Sequence, residues 1–131
     1  MPALPESNET RRILVVDDSP LALEMVESAL VEEGFGVDCA IDLTALEKFL
    51  IGSKHVLIVF DVQMPEAFGD DLAAMLHDTY GVTAPVVLFS TVADEELAER
   101  AKNANAAAWV SKGAGVEALV ARIKSLLAET S

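Results

Sequence analysis

Two hydrophobic rhythms alternate along this chain. Short, nearly continuous apolar runs fall at residues 12–17, 36–41, 55–60, 85–89 and 106–110. Runs of this length bounded by turn residues read as strands buried on both faces. Between them the apolar residues spread to a helical spacing. Leu23, Val26 and Leu30 fall at i, i+3 and i+7, after Ser19 as N-cap and Pro20 at the first helical position, and before Gly34 as the stop. Leu43, Leu46 and Leu50 follow Asp42 as a cap and precede Gly52. A third helix is expected on Leu72, Met75 and Leu76, ending before Gly81. Asp94 is expected to cap a fourth, with Glu95 and Glu96 favourably placed against its dipole. The last helix carries the clearest stripe: Val116, Leu119, Val120, Ile123, Leu126 and Leu127.

Five strand–helix repeats with short connections predict an α/β fold. The expectation is a five-stranded parallel sheet, doubly wound with helices on both faces, a flavodoxin-like (βα)5 arrangement. Residues 1–10, with two prolines and several polar residues, read as a disordered lead-in to one domain over 11–131.

The 131 residues suit one domain, and 52% hydrophobic content supports a substantial core. A net charge of −13 disfavours nucleic acid and anionic membranes as direct partners. Apolar runs fall short of a bilayer span, and the N-terminus lacks a signal peptide's pattern. The single cysteine, Cys39, allows no internal disulfide, fits a reducing cytoplasmic setting, and reads as a small core residue rather than a reactive thiol.

The candidate chemistry lies where the strands end. Asp17 and Asp18 follow the first apolar run, Asp61 the third, Ser90 closes the fourth, and Lys112 comes shortly after the fifth. In a parallel sheet these ends share one edge, where open α/β folds bind ligands. Carboxylates gathered there repel, and a divalent cation relieves the repulsion; hard oxygen ligands favour magnesium. Asp61, on the expected middle strand, is the candidate nucleophile, able to form an acyl phosphate. Asp17 and Asp18 would hold Mg²⁺, Lys112 would pair with a phosphoryl oxygen, and the Ser90 hydroxyl could donate to another. Singly, each of these residues would be a turn, cap or surface residue; the joint pattern carries the reading.

With Val15-Val16-Asp17-Asp18-Ser19, Asp61-Val62-Gln63-Met64-Pro65, Gly69, Ser90 and Lys112 in place, the chain resembles the receiver domain of two-component response regulators from Arg12 to Leu127. The resemblance implies Asp61 as phosphoacceptor and as a magnesium ligand together with the acids Asp17 and Asp18, with the backbone carbonyl of Gln63 completing the protein ligands. It implies Ser90 and Lys112 as sensors of the phosphoryl group. Trp109 stands at the family's switch-aromatic position, either as that switch or as a plain core or surface ring. In the family, switching alters the partner preference of the fourth helix, fifth strand and fifth helix. The expected function is a stand-alone phosphoacceptor switch, more than a turnover enzyme. It would be served by a histidine kinase or histidine phosphotransfer protein and act on a downstream protein target.

Three departures stand out. Gly113 replaces the proline usual after the lysine, and the cost of a non-proline cis bond, about 2.5–4 kcal/mol, favours trans. With Gly115 nearby, that loop is expected to be looser. Thr91 replaces a smaller residue beside Ser90 and would narrow access to Asp61, and Trp109 exceeds the usual Tyr or Phe. Gly113 and Thr91 support the alternative of a phosphorylation-independent, receiver-like interaction module. A haloacid-dehalogenase-like phosphatase would need an acid two residues after its nucleophile, where Gln63 and Ser19 stand instead. A flavin binder would find Asp17-Asp18 repelling its phosphate. His55 and His77 read as structural or solvated, so the donor histidine belongs to another protein.

Overall fold

The computed structural model describes residues 11–50, 55–63, 76 and 81–130. Five strands, β1 (Arg12–Val16), β2 (Gly36–Ala40), β3 (Leu57–Phe60), β4 (Val86–Ser90) and β5 (Ala108–Ser111), form one parallel sheet in the order β2-β1-β3-β4-β5. Four helices accompany them among the described residues: α1 (Pro20–Glu32), α2 (Leu43–Leu50), α3 (Asp94–Ala104) and α4 (Val116–Thr130). The expected third helix lies outside the described residues except for Leu76, which is helical and buried. The expected lead-in at 1–10, the stop at Gly52, and His77 also lie outside them.

Strand alternation divides the core into two layers. On one side of the sheet, Ile13, Val15, Leu57, Val59, Val87 and Phe89 pack under Leu23, Val26 and Leu30 of α1 and Leu119, Ile123, Leu126 and Leu127 of α4. On the other, Leu14, Val16, Ile58, Phe60 and Leu88 meet Leu46 of α2, Leu76, and Leu97 and Ala101 of α3. Each fully buried Leu, Ile or Phe contributes about 1.5–3 kcal/mol of transfer free energy. β3 is covered on both faces, which explains why its run is apolar at every position.

Local signals act largely as expected. The Ser19 Oγ accepts from the Ala22 N–H at 3.2 Å with Pro20 beginning α1, and the Asp42 carboxylate accepts from Ala45 N–H at 2.8 Å. Gly34, at φ +94°, follows the C-terminus of α1 in the left-handed region that glycine enters without strain. One expectation needs correction: Asp94 is the first helical residue of α3, not its cap. Ala93 occupies the cap position and makes no side-chain hydrogen bond; Asp94, Glu95 and Glu96 all act on the helix dipole from the first turn.

At the amino end of the sheet, the Arg12 guanidinium grips Asp38 through two contacts of 2.8 and 3.1 Å, and His55 Nε2 lies 2.8 Å from the same carboxylate. His55 is therefore structural, its ring edge-on to Phe49. The hydrogen bond from Arg12 outweighs partial burial and holds the Asp38 pKa below the usual carboxylate value. Cys39 is half-buried beside the first core layer, and burial raises its thiol pKa to about 11.

Candidate functional site

The backbone ladder continues one residue past β1 and β3. Asp17 N–H donates to Ala40 C=O at 3.1 Å, and Asp61 N–H donates to Val16 C=O at 3.0 Å. Both carboxylates are thereby fixed above neighbouring strand ends. Each then folds back on its own turn: Asp17 Oδ1 accepts from Ser19 N–H and Asp61 Oδ1 from Gln63 N–H, both at 3.0 Å. This leaves each Oδ2 for a cation. Lys112 Nζ lies 2.8 Å from Asp17 Oδ2 and 3.0 Å from Asp61 Oδ2.

Lys112 is carried by a 3-10 turn, Lys112–Ala114, that the Ser111 hydroxyl caps by accepting from Gly113 N–H at 3.2 Å. The loop carrying Lys112 is thus a hydrogen-bonded turn. The Lys112–Gly113 bond is trans, as its cost predicted. Gly115, at φ +95°, supplies the conformation that turns the chain into α4.

Asp17 and Asp61 are only 3% and 5% exposed, whereas Asp18 faces solvent. Burial raises the Asp17 pKa above the ordinary carboxylate value, against the opposing pull of Lys112 and the Ser19 N–H. Burial also opposes the Lys112 charge, but its contacts with Asp17 and Asp61 prevail and hold its pKa above the usual value. The three acids offer oxygens within 4.8 Å of one another. Opposite corners of a magnesium octahedron are about 4.2 Å apart, close to that limit, and the hard-oxygen donor set fits this ion. Lys112 is the competing cation for the same two buried oxygens.

The remaining expected site residues divide. Ser90 is fully buried at the end of β4, on the neighbouring strand to Asp61. Its hydroxyl makes a long 3.4 Å contact with Gln63 Oε1 rather than reaching Asp61. Gln63 directly follows the Asp61 turn, so its backbone stays beside the acids. Its side chain accepts from the Thr91 hydroxyl at 2.6 Å, a link absent from the sequence reading, which weighed Thr91 only as bulk and Gln63 only through its carbonyl. The available signal was two polar side chains just past the ends of adjacent strands. Trp109 lies on β5, 37% exposed, beside a groove of about 450 Å³ lined by α3 residues, Ala106 to Ala108 and Arg122. It does not line the acidic site.

Four findings from known proteins agree with this geometry. The model of the response regulator receiver domain matches residues 13–124. The transcriptional regulatory protein TctD of Salmonella typhimurium is 34% identical over 118 residues, covering 88% of this chain and 51% of TctD. Among solved structures, the CheY-like receiver domain from Methanospirillum hungatei is 26% identical with a TM-score of 0.80, covering 91% of this chain and 94% of its own. The chemotaxis response regulator CheY4 of Vibrio cholerae is 26% identical with a TM-score of 0.77, covering 88% and 97%. The chain spans about half the length of curated relatives such as TctD. No helix among the described residues is long and apolar enough to cross a membrane. The family match over most of the chain, joined to an acid trio and a lysine at the carboxyl edge of a 2-1-3-4-5 parallel sheet, places this protein in the response regulator receiver family of two-component systems.

Proposed function

We propose that the chain accepts a phosphoryl group on Asp61 from a phosphohistidine of a histidine kinase or phosphotransfer protein, and signals through altered contacts with a protein target. The observation that carries this reading is the pairing of Asp61 Oδ2 with Lys112 beside Asp17 and Asp18. In the transfer, an Asp61 carboxylate oxygen attacks phosphorus. The P–N bond breaks, and its electron pair returns to the imidazole of the donor. Lys112 then moves its charge from the carboxylate to a phosphoryl oxygen, and the Ser90 hydroxyl donates to another. Asp17, Asp18, Asp61 and the Gln63 carbonyl would hold Mg²⁺, which when bound neutralises developing phosphoryl charge. The site works as a switch that is loaded and cleared, with downstream recognition read at the surface around Trp109.

The test is labelling with radioactive acetyl phosphate. Wild type takes label only with Mg²⁺; Asp61→Asn takes none and keeps its fold. Labelling of Asp61→Asn at the normal rate would move the acceptor elsewhere. A folded wild type that takes no label would favour the phosphorylation-independent module. Asp18→Ala is expected to weaken Mg²⁺ binding in a Trp109 fluorescence titration, and an unchanged affinity would remove Asp18 from the ligand set.

A further inference from the structure

Lys112 reaches the carboxylates from a backbone held on both sides. The Ser111 hydroxyl accepts from Gly113 N–H at 3.2 Å, just past the lysine, and the Lys112 C=O accepts from Gly115 N–H at 3.1 Å. Between these two bonds the chain turns out of β5 and towards α4. Ser111 is extended, at φ −73° and ψ 136°, the backbone of an N-cap. Gly113 lies outside the left-handed region, so its conformation does not call for glycine. A Cβ there would meet Ser111 Oγ at 3.4 Å, an ordinary contact distance. What position 113 supplies is an N–H. Proline has none, and it would push Lys112 out of the helical backbone of the 3-10 turn.

We infer that Ser111 is a positioning residue: its hydroxyl, through the Gly113 N–H, sets where Lys112 delivers its ammonium. The inference rests on the reading of Asp61 as phosphoacceptor and adds a residue to that reaction. Lys112 Nζ holds Asp17 Oδ2 at 2.8 Å and Asp61 Oδ2 at 3.0 Å before transfer, and a phosphoryl oxygen after it. Its flexible four-carbon stem allows that exchange. A fixed start to the stem keeps the exchange short, because the ammonium then swings about one point. The Phe89 ring, 6.0 Å from Nζ, is at the outer limit of cation–π reach and anchors it weakly. The Ser111 hydroxyl is engaged with the turn rather than with the carboxylates, so its effect passes through the lysine. Lys112 is also the cation that competes with Mg²⁺ for the two buried oxygens. Loosening it therefore slows transfer without weakening Mg²⁺ binding, whereas general damage to the site weakens both.

The experiment compares wild type, Ser111→Ala, Ser111→Thr, Gly113→Ala, Lys112→Met and the Ser111→Ala/Lys112→Met pair. Uptake of label from radioactive acetyl phosphate is timed at saturating Mg²⁺, Mg²⁺ affinity is measured by calorimetry, and folding is checked by urea unfolding. Ser111→Ala should take label about two- to tenfold more slowly, the factor one neutral hydrogen bond is worth, with Mg²⁺ affinity held or raised. Ser111→Thr keeps the hydroxyl and Gly113→Ala keeps the N–H, so both should label at the wild-type rate. Adding Ser111→Ala to Lys112→Met should leave Mg²⁺ affinity where Lys112→Met alone puts it, because the hydroxyl acts through the lysine. Uptake in Ser111→Ala equal to wild type, or Mg²⁺ affinity lowered along with uptake, would overturn the positioning role while leaving Asp61 as acceptor. Slow uptake in Ser111→Thr or Gly113→Ala, or a further change of Mg²⁺ affinity in the double variant, would do the same. Absence of label on wild type would instead overturn the acceptor reading, and the inference with it.

Discussion

Replacing Lys112 with methionine removes one charge and leaves most of the side-chain stem. That charge bridges two nearly buried carboxylates at 2.8 and 3.0 Å. At an effective dielectric of about 20, unit charges about 3 Å apart attract by roughly 5–6 kcal/mol, and carboxylate oxygens within 4.8 Å of one another repel by at least roughly 3 kcal/mol. Desolvation of the three groups cancels much of the attraction, and losing one member of a buried pair typically costs about 3–5 kcal/mol. Lys112 keeps 18% of its side chain exposed, which places Lys112→Met near the lower end of that range. With a urea m-value of about 2 kcal/mol/M, a loss of about 3 kcal/mol lowers the unfolding midpoint by about 1.5 M. The assay is urea unfolding in EDTA at pH 7.5.

Two further readings bind this prediction to the site. Magnesium at ten times its Kd should return about 1.4 kcal/mol to the variant. It should stabilise wild type less at the same concentration, because Lys112 competes there for Asp17 and Asp61. The loss should also shrink in acid. Asp17 has a folded-state pKa raised by burial, and without Lys112 the opposing pull is gone. A group with a raised folded pKa contributes stability that is complete below its unfolded value, about 3.9, and is lost as pH rises through the folded value. The variant should therefore recover as pH falls through that window. A variant as stable as wild type in EDTA at pH 7.5 would refute the bridge. One that gains nothing from magnesium would refute the cation site.

Asp38 has the opposite sign: its folded pKa is depressed by Arg12, so its stabilisation is present above the unfolded carboxylate value and lost as pH falls through the folded one. Asp38→Asn should be less stable than wild type at pH 7 by chemical denaturation, with the difference closing in strong acid. Leu88, fully buried on β4 between Phe60 and the α3 face, should cost about 2–5 kcal/mol when cut to alanine, read from urea midpoints. Cys39, with its thiol pKa at about 11, should resist iodoacetamide at pH 8 until urea unfolds the chain; rapid native-state alkylation would contradict its packing.

The sequence by itself determined the order of elements, because local periodicity and capping carry that information. β3 is apolar at every position because both faces are covered, and Ser19-Pro20 starts α1 because cap chemistry is local. It also determined that Asp17, Asp61, Ser90 and Lys112 share an edge, since parallel strands point their carboxyl ends the same way. Tertiary structure decided what those groups hold. Lys112 and Asp61 are far apart in the chain, and only the 3-10 turn over Lys112–Ala114 brings the ammonium between two particular oxygens. The Thr91–Gln63 hydrogen bond and the Arg12–Asp38–His55 cluster likewise arise from side chains on different strands or the loops beside them. Pairing across strands depends on register and rotamer, which the whole sheet sets, whereas the periodicity of one segment reports only which face it buries.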